Sequence, residues 1–412
     1  MKVIIAIDSF KGCLSSQEAN EAARLGVRKV WPDAEVVTVP VSDGGEGFLT
    51  AFQAAFDATH IAPVTKGHDH AAAARDGFAC TGELSDQRAQ NPADWDSGEL
   101  RKKKSEAQRI VLQVHDPLMR PVRACYLLKG ETAVIEMAQA SGLNLIGPSE
   151  RNPLLTSSYG TGELVADAIG RGAKRIIVGL GGSATSDCGK GMLRALADFC
   201  DKGHSDQKQP SGYLLPFLGK EVSLVIATDV RNPLCGPQGA ARMFAPQKGA
   251  TPAMVELLEA QAVAFARESA QLLGYDRSQE PGAGAAGGLG YAFMQYLHAD
   301  CRSGVQLLLD MLNFRRLAQD ADLIITGEGS ADRQTLMGKL PFGVLQQAGD
   351  VPVWLIAGRI SHRDELLQAG FACVDCINPP DLPAEAALQK EVACQNIIHF
   401  FQQKLGSSSS FA

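Results

Sequence analysis

The sequence is short of several things, and each shortage removes a class of protein. It contains no run of about 18 apolar residues, so it offers no membrane-spanning helix. The opening stretch, MKVIIAIDSFKG, has too brief an apolar run for a signal peptide and lacks a small-residue cleavage site. It reads as a buried first strand, and a cytoplasmic location is the expectation. An excess of basic charge is also missing. Against 46 Asp+Glu the chain carries 39 Lys+Arg, a net charge of −7, which argues against a general nucleic-acid binder. Aromatic residues are only 6% of the chain, so binding through aromatic platforms is not indicated. The 10 cysteines are scattered through a chain without an export signal, the pattern of reduced thiols. In the lone CxxC, Cys373 and Cys376 lie on a strand-like stretch, where residues three apart face opposite ways. His68 and His70 sit in a polar segment and read as solvated.

What the chain does have is glycine, 42 of 412 residues, arranged after apolar strands. Lys2–Asp8 and Val36–Val41 read as strands, each followed by a glycine-bearing loop and a helix. The first helix opens at Ser15 with Glu18 in capping-box spacing. Strand-like stretches follow near Arg123–Leu128 and Ala133–Met137, then three strand–loop units beginning at Arg175–Leu180, Leu224–Thr228 and Asp322–Thr326, the last followed by a helix from about Thr335. Val353–Ala357, Cys373–Asn378 and a helix to about Lys404 close the pattern. This alternation predicts an α/β fold with parallel sheet. The expected architecture is two α/β domains. A Rossmann-like one takes residues 1–63 plus 290–405, from both chain ends, and the other is inserted over 110–289. Residues 61–108 read as a polar insertion and 406–412 as a disordered tail.

Four loops share one design: Asp8–Gly12, Ser42–Gly47, Gly181–Asp187 and Gly327–Asp332. In each, glycines and carboxylates or hydroxyls follow a strand, where ligands of parallel α/β sheets bind. Glycines let backbone N–H groups approach a phosphate, and the next helix N-terminus favours the negative charge. Carboxylates suit Mg²⁺, which bridges phosphate oxygens in phosphoryl transfer. Other nucleotide signatures fail. Gly282-Ala-Gly284-Ala-Ala-Gly287 has the GxGxxG spacing, but no strand precedes it, so the dinucleotide reading has little support. His362-Arg363-Asp364 lacks the downstream Asn of a protein-kinase loop, and no GxxxxGK[ST] occurs.

Taken together, DSFKG (8–12), VSDGGEGF (41–48), TAVIEMAQASGL (132–143), GTGEL (160–164), GLGGSATSDCGKGM (179–192), ATDVRNPLCGPQGAARMFAPQKGA (227–250), PGAGAAGGLG (281–290) and ITGEGSADRQTLMGK (325–339) resemble the bacterial glycerate kinase type-1 family. The resemblance implies ATP-dependent phosphorylation of D-glycerate with Mg²⁺. The implied product is 2-phosphoglycerate; the alternatives are 3-phosphoglycerate as product, or a kinase for a related small hydroxy acid. No nucleic-acid or membrane partner is expected, and self-association is left open. Laid on the matching motifs, Asp187, Lys11 and Lys248 are the expected catalytic residues, an N-cap being the other reading of Asp187. Asp8, Asp43, Glu46, Glu328 and Lys339 would contact substrate. Gly181, Gly182, Ser183, Thr185, Gly282, Gly284 and Gly287 would hold the nucleotide, and Asp229 and Asp332 the metal.

Overall fold

The computed structural model describes residues 1–10, 12–39, 41, 47–58, 106–203 and 222–406. Lys11, Asp43, Glu46, His68, His70 and the tail after 406 therefore lie outside the described residues.

Among the described residues, eleven strands form two sheets. The first runs in the order β11 (Cys373–Cys376), β10 (Val353–Ile360), β9 (Leu323–Ala331), β1 (Lys2–Ile7), β2 (Glu35–Thr38), and every pairing is parallel. It draws on both ends of the chain, because β1 pairs with β9 in the register Ile5↔Ile325. The sequence KVIIAI is almost wholly buried, the signature of a strand covered on both faces. One face packs on helices Ser16–Val30 and Lys390–Gly406 through Val3, Ile5, Val27, Ile397 and Phe401. The first of these helices starts with the expected capping box: Ser15 accepts from the Glu18 N–H, and Glu18 accepts from the Ser15 N–H at 2.9 Å.

The second sheet has the order β3 (Gln108–His115), β4 (Pro121–Lys129), β5 (Thr132–Glu136), β6 (Arg175–Gly179), β7 (Ser223–Ala227), β8 (Asp300–Arg302). Strands β5 to β8 are parallel, while β3, β4 and β5 pair antiparallel. Sequence periodicity did not single out β3 or β8. Strand β3 is mostly exposed on its outer face, and β8 is three exposed residues, so neither carries the apolar run of a buried strand.

A layer of helices lies between the sheets and is shared by both. Phe48 and Phe52 of helix Phe48–Ala58 join one buried cluster with Ile4 and Leu355 of the first sheet and Ile177 and Val225 of the second. The Phe48 ring rests on Gly179 of β6, where a Cβ would stand 2.8 Å from it. Full burial of such a ring contributes about 1.5–3 kcal/mol.

Two expectations of local structure need correction. Gly327–Ala331 is not a loop: β9 continues through it, pairing with Arg359 and Ile360 of a longer β10. Gly327 permits this, since a Cβ there would meet the Ile356 carbonyl oxygen at 2.4 Å. The helix expected from Thr335 is a 3₁₀ turn, Arg333–Met337, broken by Gly338 at φ +104° before helix Leu340–Gln347 begins.

Candidate active site

The parallel strands of both sheets end on one cleft of about 1600 Å³. From the first sheet come Asp8 and Ser9 after β1, Glu328 and Ser330 in β9, Arg359 in β10, and Asn378 beyond β11. From the second come Gly181 and Gly182 after β6 and the run Thr228–Asn232 after β7. Ligands of open α/β sheets bind outside the carboxyl ends of strands, and here two sets of ends converge.

Of the residues singled out from sequence, the structure gathers Asp8, Gly181, Gly182, Asp229, Glu328 and Lys339 around this cleft. Glu328 is buried and accepts from the Thr335 hydroxyl at 2.6 Å and from Lys339 Nζ at 2.9 Å. The pair fixes a half-exposed ammonium at the cleft edge. Asp8 accepts from the Ser9 N–H at 2.7 Å, and its own N–H donates to the Gly327 carbonyl, which ties β1 to β9 at the site. Gly182 adopts φ +71°, and its carbonyl accepts from the Leu143 N–H, which holds the loop after β6 against residues 142–143.

The other described residues singled out from sequence do not line the cleft. Both carboxylate oxygens of Asp187 are in use. One accepts from the Ser158 N–H and O–H at 2.8 Å each and from the Gly191 N–H at 3.0 Å, and the second accepts from the Gly189 N–H at 3.0 Å. The carboxylate thus anchors the start of helix Lys190–Gly203, and Asp187 is not among the residues lining the cleft. Lys248 is also withdrawn. It is buried, and its Nζ donates to Ser183 Oγ at 2.7 Å and to the Thr185 carbonyl at 2.6 Å. Burial pulls its pKa down to about 7, against a smaller opposing pull from Asp187. Thr185 is fully buried, and its hydroxyl has no hydrogen-bond partner among the described residues. Asp332 caps the 3₁₀ turn, accepting from the Gln334 N–H at 2.7 Å.

Gly282 lies close against the Cys301 sulfur, and Gly284 and Gly287 lie close against backbone. A Cβ on Gly284 would meet the Pro233 carbonyl oxygen at 2.3 Å, and one on Gly287 the Thr185 carbonyl oxygen at 2.0 Å. Ala286, Gly287 and Gly288 all have positive φ, so regular helix in Ala285–Leu297 starts only after them.

Sequence reasoning gave no role to Ser9, Arg231, Arg359 or Asn378, all of which line the cleft. Their signal was position, since each sits in or just after the C-terminal end of a parallel strand.

Three carboxylates, Asp8, Asp229 and Glu328, face the cleft. No three His, Cys, Asp or Glu side chains lie close enough to hold a metal alone among the described residues. Hard oxygen donors in ones and twos suit Mg²⁺, which keeps waters and completes its shell with phosphate oxygens. No described helix is long and apolar enough to cross a membrane.

Comparison with known proteins bears on what such a cleft does. The model of the Glycerate kinase family matches residues 3–84 and 99–402, leaving 85–98 unmatched within the polar segment. The chain is 39% identical over 406 residues to a glycerate kinase of Bacillus subtilis, covering 94% of this chain and 93% of that one. It is 38% identical over 376 residues to the glycerate 2-kinase of Escherichia coli, covering 88% and 86%. A crystal structure assigned as a glycerate kinase 2 from Salmonella typhimurium superposes with a TM-score of 0.70 at 33% identity, over 99% of this chain and 98% of that one.

Proposed function

The chain belongs to the glycerate kinase family, a family of phosphotransferases, and from that premise we propose that it moves the γ-phosphoryl group of ATP onto D-glycerate to give 2-phosphoglycerate. The observation that carries the reading is the cleft itself: carboxylates, a lysine and a glycine loop from two sheets meet around one space large enough for a nucleotide, with Asp229 on its wall.

In this reading the N–H groups of Gly181 and Gly182 face the nucleotide phosphates, and Lys339 sits where charge develops on the transferring group. Mg²⁺, held by Asp8 together with phosphate oxygens, would neutralise that charge. Asp229 takes the proton of the attacking hydroxyl as the oxygen–phosphorus bond forms and ADP leaves. Asp187 and Lys248 act one step back, setting the position of the loop after β6 through Ser158, Ser183 and Thr185.

The test is incubation with D-glycerate, ATP and Mg²⁺, followed by proton-coupled ³¹P NMR. A new doublet marks phosphate on carbon 2, and a triplet marks carbon 3. ATP consumption that does not depend on D-glycerate would contradict the acceptor. No consumption with folded protein would contradict the phosphotransfer.

A further inference from the structure

A second cavity of about 560 Å³ opens beside the cleft and shares Thr228, Asp229, Val230 and Arg231 with it. The two spaces differ in chemistry. The larger has apolar wall from Phe10, Ile360, Ile377 and Leu382, which suits a nucleobase. The smaller holds three arginines from three separate elements: Arg231 after β7, Arg277 after helix Pro252–Leu273, and Arg302 at the end of β8.

Arg277 is 3.6 Å from Glu280 and lies over the Tyr275 ring. The guanidiniums of Arg231 and Arg302 form no ion pair or hydrogen bond among the described residues. Asp229, Glu280 and Asp300 stand among them, so the lining carries both signs. The charges also converge. The Cys301 thiol in the same wall, exposed as a residue but with its sulfur partly desolvated, is pushed up first by that desolvation, then by Asp229 and Glu280, with Arg231 opposing. The N-terminus of helix Gly304–Met311, capped by Ser303, opens onto the same space.

An inorganic anion is served by cations and N–H donors, and carboxylates in its wall repel it. A short hydroxy acid presents one carboxylate, which a guanidinium binds through paired N–H groups, and hydroxyls, which donate to carboxylates. A wall of mixed sign fits the second ligand.

We propose that the smaller cavity is the acceptor subsite, where Arg231 and Arg302 hold the carboxylate of a short hydroxy acid while the nucleotide fills the larger cleft. The assignment rests on the phosphotransferase reading above. It places Asp229 on the lip between the two spaces, where an acceptor hydroxyl from one side meets a phosphate from the other.

Steady-state kinetics on the full chain tests it, with Arg231→Ala and Arg302→Ala beside the unaltered protein. Each variant is expected to raise the KM for D-glycerate at least about tenfold, the loss of one charge-assisted hydrogen-bonded contact, with the KM for ATP within about twofold. Isothermal titration with D-glycerate and with AMP-PNP should show the same split without relying on turnover. If Arg302→Ala does not fold, Arg302→Lys carries the test, with a rise of about threefold, because lysine keeps charge but loses the fork. A glycerate KM unchanged in both variants, or equal weakening of both substrates, overturns the subsite while leaving the kinase reading intact. Absence of turnover by the unaltered chain overturns both.

Discussion

The loops after β6 and β7 leave neighbouring parallel strands, and each carries an acid: Asp187, eight residues past the end of β6 at Gly179, and Asp229, two residues past the end of β7 at Ala227. In the folded chain they have opposite fates. Asp187 accepts four hydrogen bonds from its surroundings, and the buried Lys248 donates to the Thr185 carbonyl of the same loop. Asp229 and its neighbour Arg231 instead line two cavities at once. A carboxylate surrounded by chain N–H groups is framework, because moving it would strand several buried donors. A carboxylate on the wall of a cleft faces whatever the cleft holds.

The sharpest way to break that contrast within the framework region is Gly287→Ala. The new Cβ would sit 2.0 Å from the Thr185 carbonyl oxygen at a φ of +67°, which forces Gly282–Gly288 away from the loop after β6. A loss of about 3 kcal/mol is expected, seen by scanning calorimetry as a fall in Tm of about 6–10 °C. Were this glycine string a phosphate cradle instead, the variant would keep its Tm and lose ATP affinity.

A smaller effect comes from Lys248→Met. The folded pKa of Lys248, about 7, lies below its unfolded value. Between those two values the unfolded chain binds the extra proton, so the lysine's contribution to stability rises with pH across the window. Below pH 7 the cost of burying the charged ammonium is present in full. The urea midpoint of the unaltered chain, relative to Lys248→Met, should therefore climb from pH 7 towards about pH 10, the unfolded lysine value. A flat difference would show that the ammonium keeps its charge in the fold.

Much of the frame was readable in advance, for a physical reason. Strands buried on both faces, such as β1 and β6, are unbroken apolar runs, and their C-terminal ends mark where a ligand can sit. Strand β3 was harder to read, because it has an exposed face and borders the polar segment. Site roles were legible only in part. Asp187 is consumed by Ser158, 29 residues away, and Lys248 by Ser183 and Thr185, more than 60 residues away. No local pattern announces such long-range partners. In the same way, the spacing of Gly282, Gly284 and Gly287 is set by the carbonyls of Pro233 and Thr185 and the sulfur of Cys301, which arrive from other segments.

The central claim, that chemistry belongs to the wall after β7 while the loop after β6 is its scaffold, is tested most directly by turnover of Asp229→Asn beside Asp187→Asn. Both are measured at saturating D-glycerate and MgATP, and rates are normalised to the folded fraction. The account predicts that Asp229→Asn loses at least about a hundredfold in kcat, the scale of a lost general base, while Asp187→Asn stays within about fivefold and unfolds at lower temperature. The reverse pattern, with Asp229→Asn active and Asp187→Asn folded but inert, would contradict it.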